Sequence, residues 1–386
     1  MKIKISTLLA ILFFTTFYAQ QNTISESISV EIGQSYKIQS HILKEERTLL
    51  IHTPASYKDS NKKYPVIYVL DGNNHFSHSI NAATLLAENG RMPESIIVAI
   101  PNNQGTRGRD LESERDTFKE YIKKEVISFV SENYRTLKNK TLFGHSMAGA
   151  FALNYLATEP GLFDNYIAAS PVIQIFNSEL LTKFQELFKR EKTVNKPLYF
   201  TLTEVEAEGN RATEAMNKFV DLLEKEAPKT LRWKYDFIEN QIHMTTPYLT
   251  IYKGFTEVFY DFQSPSYTSF KEYTDRGGMP QLKTYYANRA VKYQSENVIP
   301  ENTMRRLANM LLNDKQENLA LELLEQNTKT HVESFPALNS LARAYERLNK
   351  LSEAKKVYQT ALSLAEKQAS PNTAYFKRQL NRLDKK

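Results

Sequence analysis

Short runs of branched and aromatic residues alternate with stretches able to form helices up to about residue 262, and this alternation leaves few folds open. The runs are RTLLIHTP (47–54), YPVIYVLDG (64–72), SIIVAIPN (95–102), KTLFGHS (140–146), DNYIAASP (164–171), KPLYFTLT (196–203) and LRWKYDFIE (231–239). In VIYVL and IIVAI every residue is apolar. A strand apolar at every position buries both faces, which is the condition of a mainly parallel sheet covered by helices. Helical stretches include 116–134, DTFKEYIKKEVISFVSENY, and 210–227, NRATEAMNKFVDLLEKEA. The pattern predicts a doubly wound α/β domain over residues 20–264.

Beyond Ser264 the strand signal stops. Residues 265–299 are polar and tyrosine-rich, and Gly277, Gly278 and Pro280 interrupt any long element, so a linker is expected there. From Pro300 the chain reads as helical and repeats itself. Leu307, Ala308, Leu311, Ala320 and Leu324 recur 34 positions later as Leu341, Ala342, Tyr345, Ala354 and Tyr358. Alanines at fixed places between large apolar residues let paired helices approach closely. The period and pattern of residues 300–386 resemble the tetratricopeptide repeat, a scaffold able to take a protein partner. A plain helical hairpin packed on the main domain is the other reading, since two units are visible. The closing stretch NTAYFKRQLNRLDKK suits a capping helix.

The N-terminus, MKIKISTLLAILFFTTFYAQQ, places Lys2 and Lys4 before an apolar run that ends near Phe14. That order is expected of a secretory signal peptide over residues 1–19, cut after Ala19, giving a secreted or periplasmic protein with no stable membrane anchor. The chain has no cysteine, which excludes a lipid-anchored cysteine, a disulfide framework and a thiolate metal site. A net charge of +6 over 386 residues, with no dense basic stripe, argues against a nucleic-acid surface.

The chemistry is expected in LFGHSMAGAF, residues 142–151. Ser146 sits between a strand signal and a helix signal, with Gly144 before it and Ala148 and Gly149 after it. A nucleophile on a strand-to-helix elbow needs small residues on either side, because side chains there would strike the sheet. The pattern departs from G-x-S-x-G only in having Ala148 at the second glycine. The following helix turns its first N–H groups toward a developing oxyanion. The N–H of Met147 is one expected donor, and a second is expected from the loop after YVLDG, at Gly72 or Asn73.

In an elbow fold the order along the chain is serine, acid, histidine. Only His243 and His331 follow Ser146, and His331 lies in the repeat region. His243, just past the run at 231–239, is therefore the expected base. His75 and His78 are expected to border the pocket, and His145 to be structural. The acid should follow KPLYFTLT, where EVEAEG offers Glu204, Glu206 and Glu208. Glu206 is the expected partner, as the one far enough past the strand end to turn toward His243. No HExxH, P-loop or dinucleotide fingerprint occurs, so no metal or cofactor is implied.

RTLLIHTPASY, KYPVIYVLDGNNHF, SIIVAIPNNQGTRGRD, YIKKEVISFVSENYRT and LFGHSMAGAFALNYLATEPGLFDNYIAASP occur in order with consistent spacing. Together they resemble the putative-esterase family, which contains siderophore trilactone esterases and S-formylglutathione hydrolases. The similarity spans about residues 35–262. It implies an α/β-hydrolase fold, carboxylic-ester hydrolysis, Ser146 as nucleophile and His243 as base. Arg107, Arg109 and Asp110 match one family block. The leading reading is an exported serine esterase acting on a small-molecule ester, siderophore-derived or other. The competing readings are an acyltransferase of the same fold and a non-catalytic scaffold that binds through the repeats.

Overall fold

The computed structural model describes residues 29–176 and 179–385. The expected signal peptide and its cleavage site at Ala19 lie outside the described residues. Eight strands are described: β1 (Gln34–Ser40), β2 (Glu45–His52), β3 (Tyr64–Leu70), β4 (Ile96–Ile100), β5 (Thr136–His145), β6 (Asn165–Ala169), β7 (Pro197–Leu202) and β8 (Arg232–Phe237). They form one sheet in the order β1-β2-β4-β3-β5-β6-β7-β8. The pairs β1–β2 and β2–β4 are antiparallel, and every other neighbouring pair is parallel. β1 was not expected, because QSYKIQS is polar. It is an edge strand whose residues are largely exposed, so it needs no apolar face.

The helices of the α/β unit are α1 (Gly72–Glu88), α2 (Arg115–Tyr121), α3 (Ile127–Asn133), α4 (Met147–Thr158), α5 (Glu179–Arg190), α6 (Val205–Glu208), α7 (Asn210–Glu226) and α8 (Thr246–Val258). Successive strand residues point to opposite faces of the sheet. Val66, Tyr68 and Leu70 accordingly join the core that contains residues of α2, α4, α5 and α7, while Ile67 and Val69 join the one beneath α1 and α8. Both faces are covered, as the unbroken apolar runs of β3 and β4 require. The chain has the α/β-hydrolase doubly wound sheet followed by an all-α segment.

That segment comprises α9 (Phe270–Asp275), α10 (Gly278–Tyr293), α11 (Glu301–Asn313), α12 (Glu317–Thr330), α13 (Phe335–Arg347), α14 (Leu351–Lys367) and α15 (Asn372–Leu383). α13 begins 34 residues after α11, and α14 begins 34 after α12. The recurring Leu307, Ala308, Ala320 and Leu324 are buried, as are Leu341, Ala342, Ala354 and Tyr358.

The expected linker at 265–299 contains a sixteen-residue helix, α10. Gly278 opens it and Pro280 lies in its first turn, where a missing N–H costs no helical hydrogen bond. The residues read as breakers are a helix start. Its tyrosines fasten it to the end of the α/β unit: Tyr293 Oη donates to Asp261 Oδ1 at 2.7 Å, and Tyr285 Oη donates to the carbonyl of Asp261 at 2.8 Å. Tyr293 also joins the core beneath α1 and α8. Residues Gly33–Lys386 hold together as one compact unit. Among the described residues no helix is long and apolar enough to cross a membrane.

Candidate active site

β5 delivers Ser146 to the C-terminal edge of the parallel strands, and α4 begins at the next residue. Ser146 has φ 59° and ψ −119°, a conformation that L-residues rarely adopt. Such strain costs about 1–3 kcal/mol. Burying a single side chain such as Phe151 of α4, which is fully inaccessible, returns about 1.5–3 kcal/mol. The elbow is therefore held by the packing behind it. A Cβ on Gly144 would lie 2.1 Å from the Ala148 carbonyl oxygen, so no side chain fits there. Ala148 itself is fully buried without such a clash, which is why alanine serves at this place.

His243 lies in the segment joining β8 to α8. Its Nε2 is 2.9 Å from Ser146 Oγ, and its Nδ1 is 2.6 Å from Glu208 Oε2. A carboxylate only accepts, so Nδ1 carries the proton and Nε2 is left to accept from the serine hydroxyl. The Glu208 side chain is 2 % exposed, and its Oε1 has no hydrogen-bond partner among the described residues.

The carboxylate facing His243 is Glu208 and not the expected Glu206, which is exposed. The expectation treated EVEAEG as an irregular turn. Residues 205–208 instead form one helical turn, α6. Each helical residue advances by a hundred degrees or so, so positions four apart share a face and positions two apart do not. Glu204 and Glu208 both face the segment after β8: Glu204 Oε1 accepts the Asn240 N–H at 3.1 Å. That i, i+4 spacing was the available signal.

The second oxyanion donor was expected from a loop after β3, but α1 begins at Gly72 itself. β3 and β5 are parallel neighbours paired as far as Val69 and Phe143, so Gly72 and Ser146 follow the C-terminal ends of adjacent strands. Gly72, Asn73 and Met147 are all first-turn residues, whose N–H groups have no intrahelical acceptor. A Cβ on Gly72 would lie 2.7 Å from Ile100 N, so the close approach demands glycine. Asp71 before it has φ 52° and is 2 % exposed.

Arg107 holds Asp71 with two hydrogen bonds of 2.8 Å, from Nε to Oδ1 and from Nη2 to Oδ2. Its Nη2 also reaches the His145 carbonyl at 3.4 Å. This arginine therefore ties the turn at Gly72 to the strand that leads to Ser146, a role not read from the sequence. Arg109 and Asp110 lie farther back. Asp110 and Glu45 both pair with the fully buried Arg47 guanidinium, whose Nη1 is 2.7 Å from Asp110 Oδ2, and Arg109 pairs with the same two carboxylates.

Three further imidazoles stand behind His243. His145 packs against it at a tilt, 4.7 Å between ring centroids, His75 meets His145 edge-on at 5.4 Å, and His75 Nδ1 is 3.1 Å from His78 Nε2. Burial pushes His145 down to about 3 and His75 down to about 4, so both rings stay neutral near neutral pH. His78 is shifted the same way by burial and touches Tyr248 at the rim, 4.8 Å between rings. Among the described residues no three His, Cys, Asp or Glu side chains form a metal-binding group.

Residues 40–203 match a family model described as "Putative esterase". Over this segment, which is less than half of the chain, the sequence is similar to that esterase family. Across 194 residues the chain is 28 % identical to the ferri-bacillibactin esterase BesA of Bacillus subtilis (strain 168), covering 42 % of this chain and 66 % of that protein. It is 30 % identical over 153 residues to a siderophore triacetylfusarinine C esterase of Aspergillus fumigatus, covering 34 % of this chain and 51 % of the relative. The chain thus spans just under two thirds of the first relative and about half of the second. An IroE-like serine hydrolase from Shewanella oneidensis shares the fold, with a TM-score of 0.59 and 24 % identity over 78 % of this chain and 99 % of that one.

Proposed function

We propose that this protein hydrolyses carboxylic esters through an acyl-enzyme on Ser146. The observation that carries the proposal is the unbroken line from Glu208 Oε2 through His243 to Ser146 Oγ, at 2.6 and 2.9 Å, on a strained elbow. His243 Nε2 takes the serine proton as Oγ attacks the ester carbonyl carbon. The carbonyl oxygen becomes an oxyanion and accepts N–H groups from Met147 and from Gly72 or Asn73. Glu208 keeps the imidazole in the attacking tautomer and stabilises its protonated form. Collapse breaks the bond to the leaving alcohol, which receives the proton from His243. Water then repeats the sequence on the acyl-enzyme and releases the acid.

The names of the relatives support a siderophore or other small ester as substrate. Exposed Ile242, Met244 and Tyr248 flank His243 and suit an ester with an apolar or aromatic portion. The reading of residues 1–19 as a signal peptide supports an exported enzyme. The 34-residue step of α11–α14 supports a tetratricopeptide-like appendage able to recruit a protein partner. The test is labelling with a fluorophosphonate, followed by turnover on short-chain, aryl and siderophore esters. Labelling confined to Ser146, lost in Ser146→Ala together with turnover, is the expected result. A folded Ser146→Ala protein with unchanged turnover overturns the mechanism.

A further inference from the structure

We propose that His145 is a positioning residue, whose imidazole clamps the main chain of His243 and so holds the base in line with Ser146. The inference rests on the reading of Ser146 and His243 as nucleophile and base. It adds a second connection between the same two stretches of chain, made by the residue immediately before the nucleophile.

The geometry is direct. His145 Nε2 lies 3.0 Å from the carbonyl oxygen of His243. A carbonyl oxygen can only accept, so His145 carries its proton on Nε2 and donates it. The same ring packs at a tilt against the His243 imidazole, 4.7 Å between centroids with 41° between planes. One side chain therefore meets His243 both at its backbone carbonyl and at its ring. That side chain comes from the end of β5, while His243 arrives from the end of β8, with β6 and β7 lying between those two strands. The segment between β8 and α8 has its own local bonds, Thr245 N–H and Thr246 N–H to the Ile242 carbonyl at 3.0 and 3.1 Å. It is nevertheless exposed at Ile242, Met244 and Thr245. Thr203, Glu204 and Glu208 hold the segment at Ile238, Asn240, Gln241 and the His243 ring, and His145 adds a hold from β5 on the His243 main chain, which helps keep Nε2 within hydrogen-bond reach of Ser146.

The support behind His145 is rigid. It is 4 % exposed and, like Phe143 two residues earlier, turns toward α1, where His75 meets it edge-on. The groups facing it are His243, His75 and Asp71. Burial, with the two neighbouring imidazoles, keeps the ring neutral. A neutral ring donates to the carbonyl without placing a second positive charge beside His243 as that residue takes up the serine proton.

Three variants of the full chain test the clamp. Glutamine places an amide nitrogen near the position of Nε2 and can keep the bond; asparagine is too short; phenylalanine keeps the ring and loses the donor. The first readout is hydrogen exchange at the Thr245 and Thr246 amides, which needs no turnover and therefore judges the clamp even where the catalytic reading fails. Exchange should accelerate in His145→Asn and His145→Phe and return toward wild type in His145→Gln. The second is steady-state kinetics on a small activated ester. kcat should fall roughly 10- to 100-fold in the Asn and Phe variants with KM changed less than about twofold, and recover in the Gln variant. Wild-type exchange and kcat in a folded His145→Asn protein overturn the proposal, as does a Gln variant no better than Asn.

Discussion

Glu204, the residue that caps α6, and Glu208, the last residue of that helical turn, each take a proton donor from the segment after β8, Asn240 N–H for one and His243 Nδ1–H for the other. One turn of helix thus both braces that segment and orients its imidazole.

Comparison of the three glutamates follows from this. Glu208→Gln should lower kcat by roughly three to four orders of magnitude, since the amide removes the charge opposite the imidazolium. Glu206→Gln should leave turnover near wild type, because its side chain faces solvent. Glu204→Gln should have a small effect, because its amide oxygen can still accept from Asn240. Kinetics on one ester at one pH checks all three. A crippled Glu206→Gln enzyme would contradict the structure.

Arg107 should matter for rate more than for binding. Arg107→Met leaves the buried Asp71 carboxylate without its two-pronged partner and frees the turn that sets the Gly72 N–H. Loss of one oxyanion donor costs about 10²–10³ in kcat, which bounds the expected effect. Arg107→Lys should recover part of it, because an ammonium cannot bridge both carboxylate oxygens. The measurement is kcat and KM together; a change confined to KM would contradict this role.

Stability should fall as acid is added, with a sign fixed by the buried imidazoles. In the folded protein His145 and His75 are held down at about 3 and about 4, whereas the unfolded chain titrates them near the ordinary 6.5. Between those values the unfolded state binds protons that the folded state refuses. The stability they contribute is complete above 6.5 and is lost as the pH falls toward 4 and below. Each group adds a slope of up to about 1.4 kcal/mol per pH unit in that window. Melting curves from pH 7 to pH 4 should therefore steepen less in His145→Gln than in wild type.

Cutting the chain separates two roles of the all-α segment. A protein ending after Ser264 loses Tyr293 from the core beneath α1 and α8, together with the Arg289 Nη1 bond to the Phe262 carbonyl at 3.1 Å. One ending after Glu296 keeps both. Removal of a large buried aromatic costs about 3–5 kcal/mol, so urea unfolding should show the shorter protein to be weaker by that order. Equal midpoints would mean that α10 contributes nothing to the hydrolase core.

Much of this was legible in the sequence because the relevant forces are local. VIYVL and IIVAI announce buried strands wherever they occur, and the small residues around Ser146 announce the elbow. His243 followed from order along the chain. β1 escaped notice because an edge strand can be polar. Glu208 was misjudged because the conformation of EVEAEG depends on its docking against the segment after β8, not on its own composition. Asp71 and Arg107 are 36 residues apart and meet only through tertiary structure. Gly278 and Pro280 read as breakers until a helix is seen to start on them.

Ser146 and His243 are 97 residues apart; β6, β7 and β8 lie between them in the chain, and β6 and β7 separate their strands in the sheet. Long-range parallel pairing is slow, since loop closure comes before any contact rewards it. The elbow can fold early around β5 and α4, but it meets its imidazole only after three more strands have docked. Recovery of Ser146 labelling after dilution from denaturant therefore times the last stage of assembly, later than the return of helical signal. During synthesis, the same order keeps the emerging chain without a partnered nucleophile until the sheet is nearly whole.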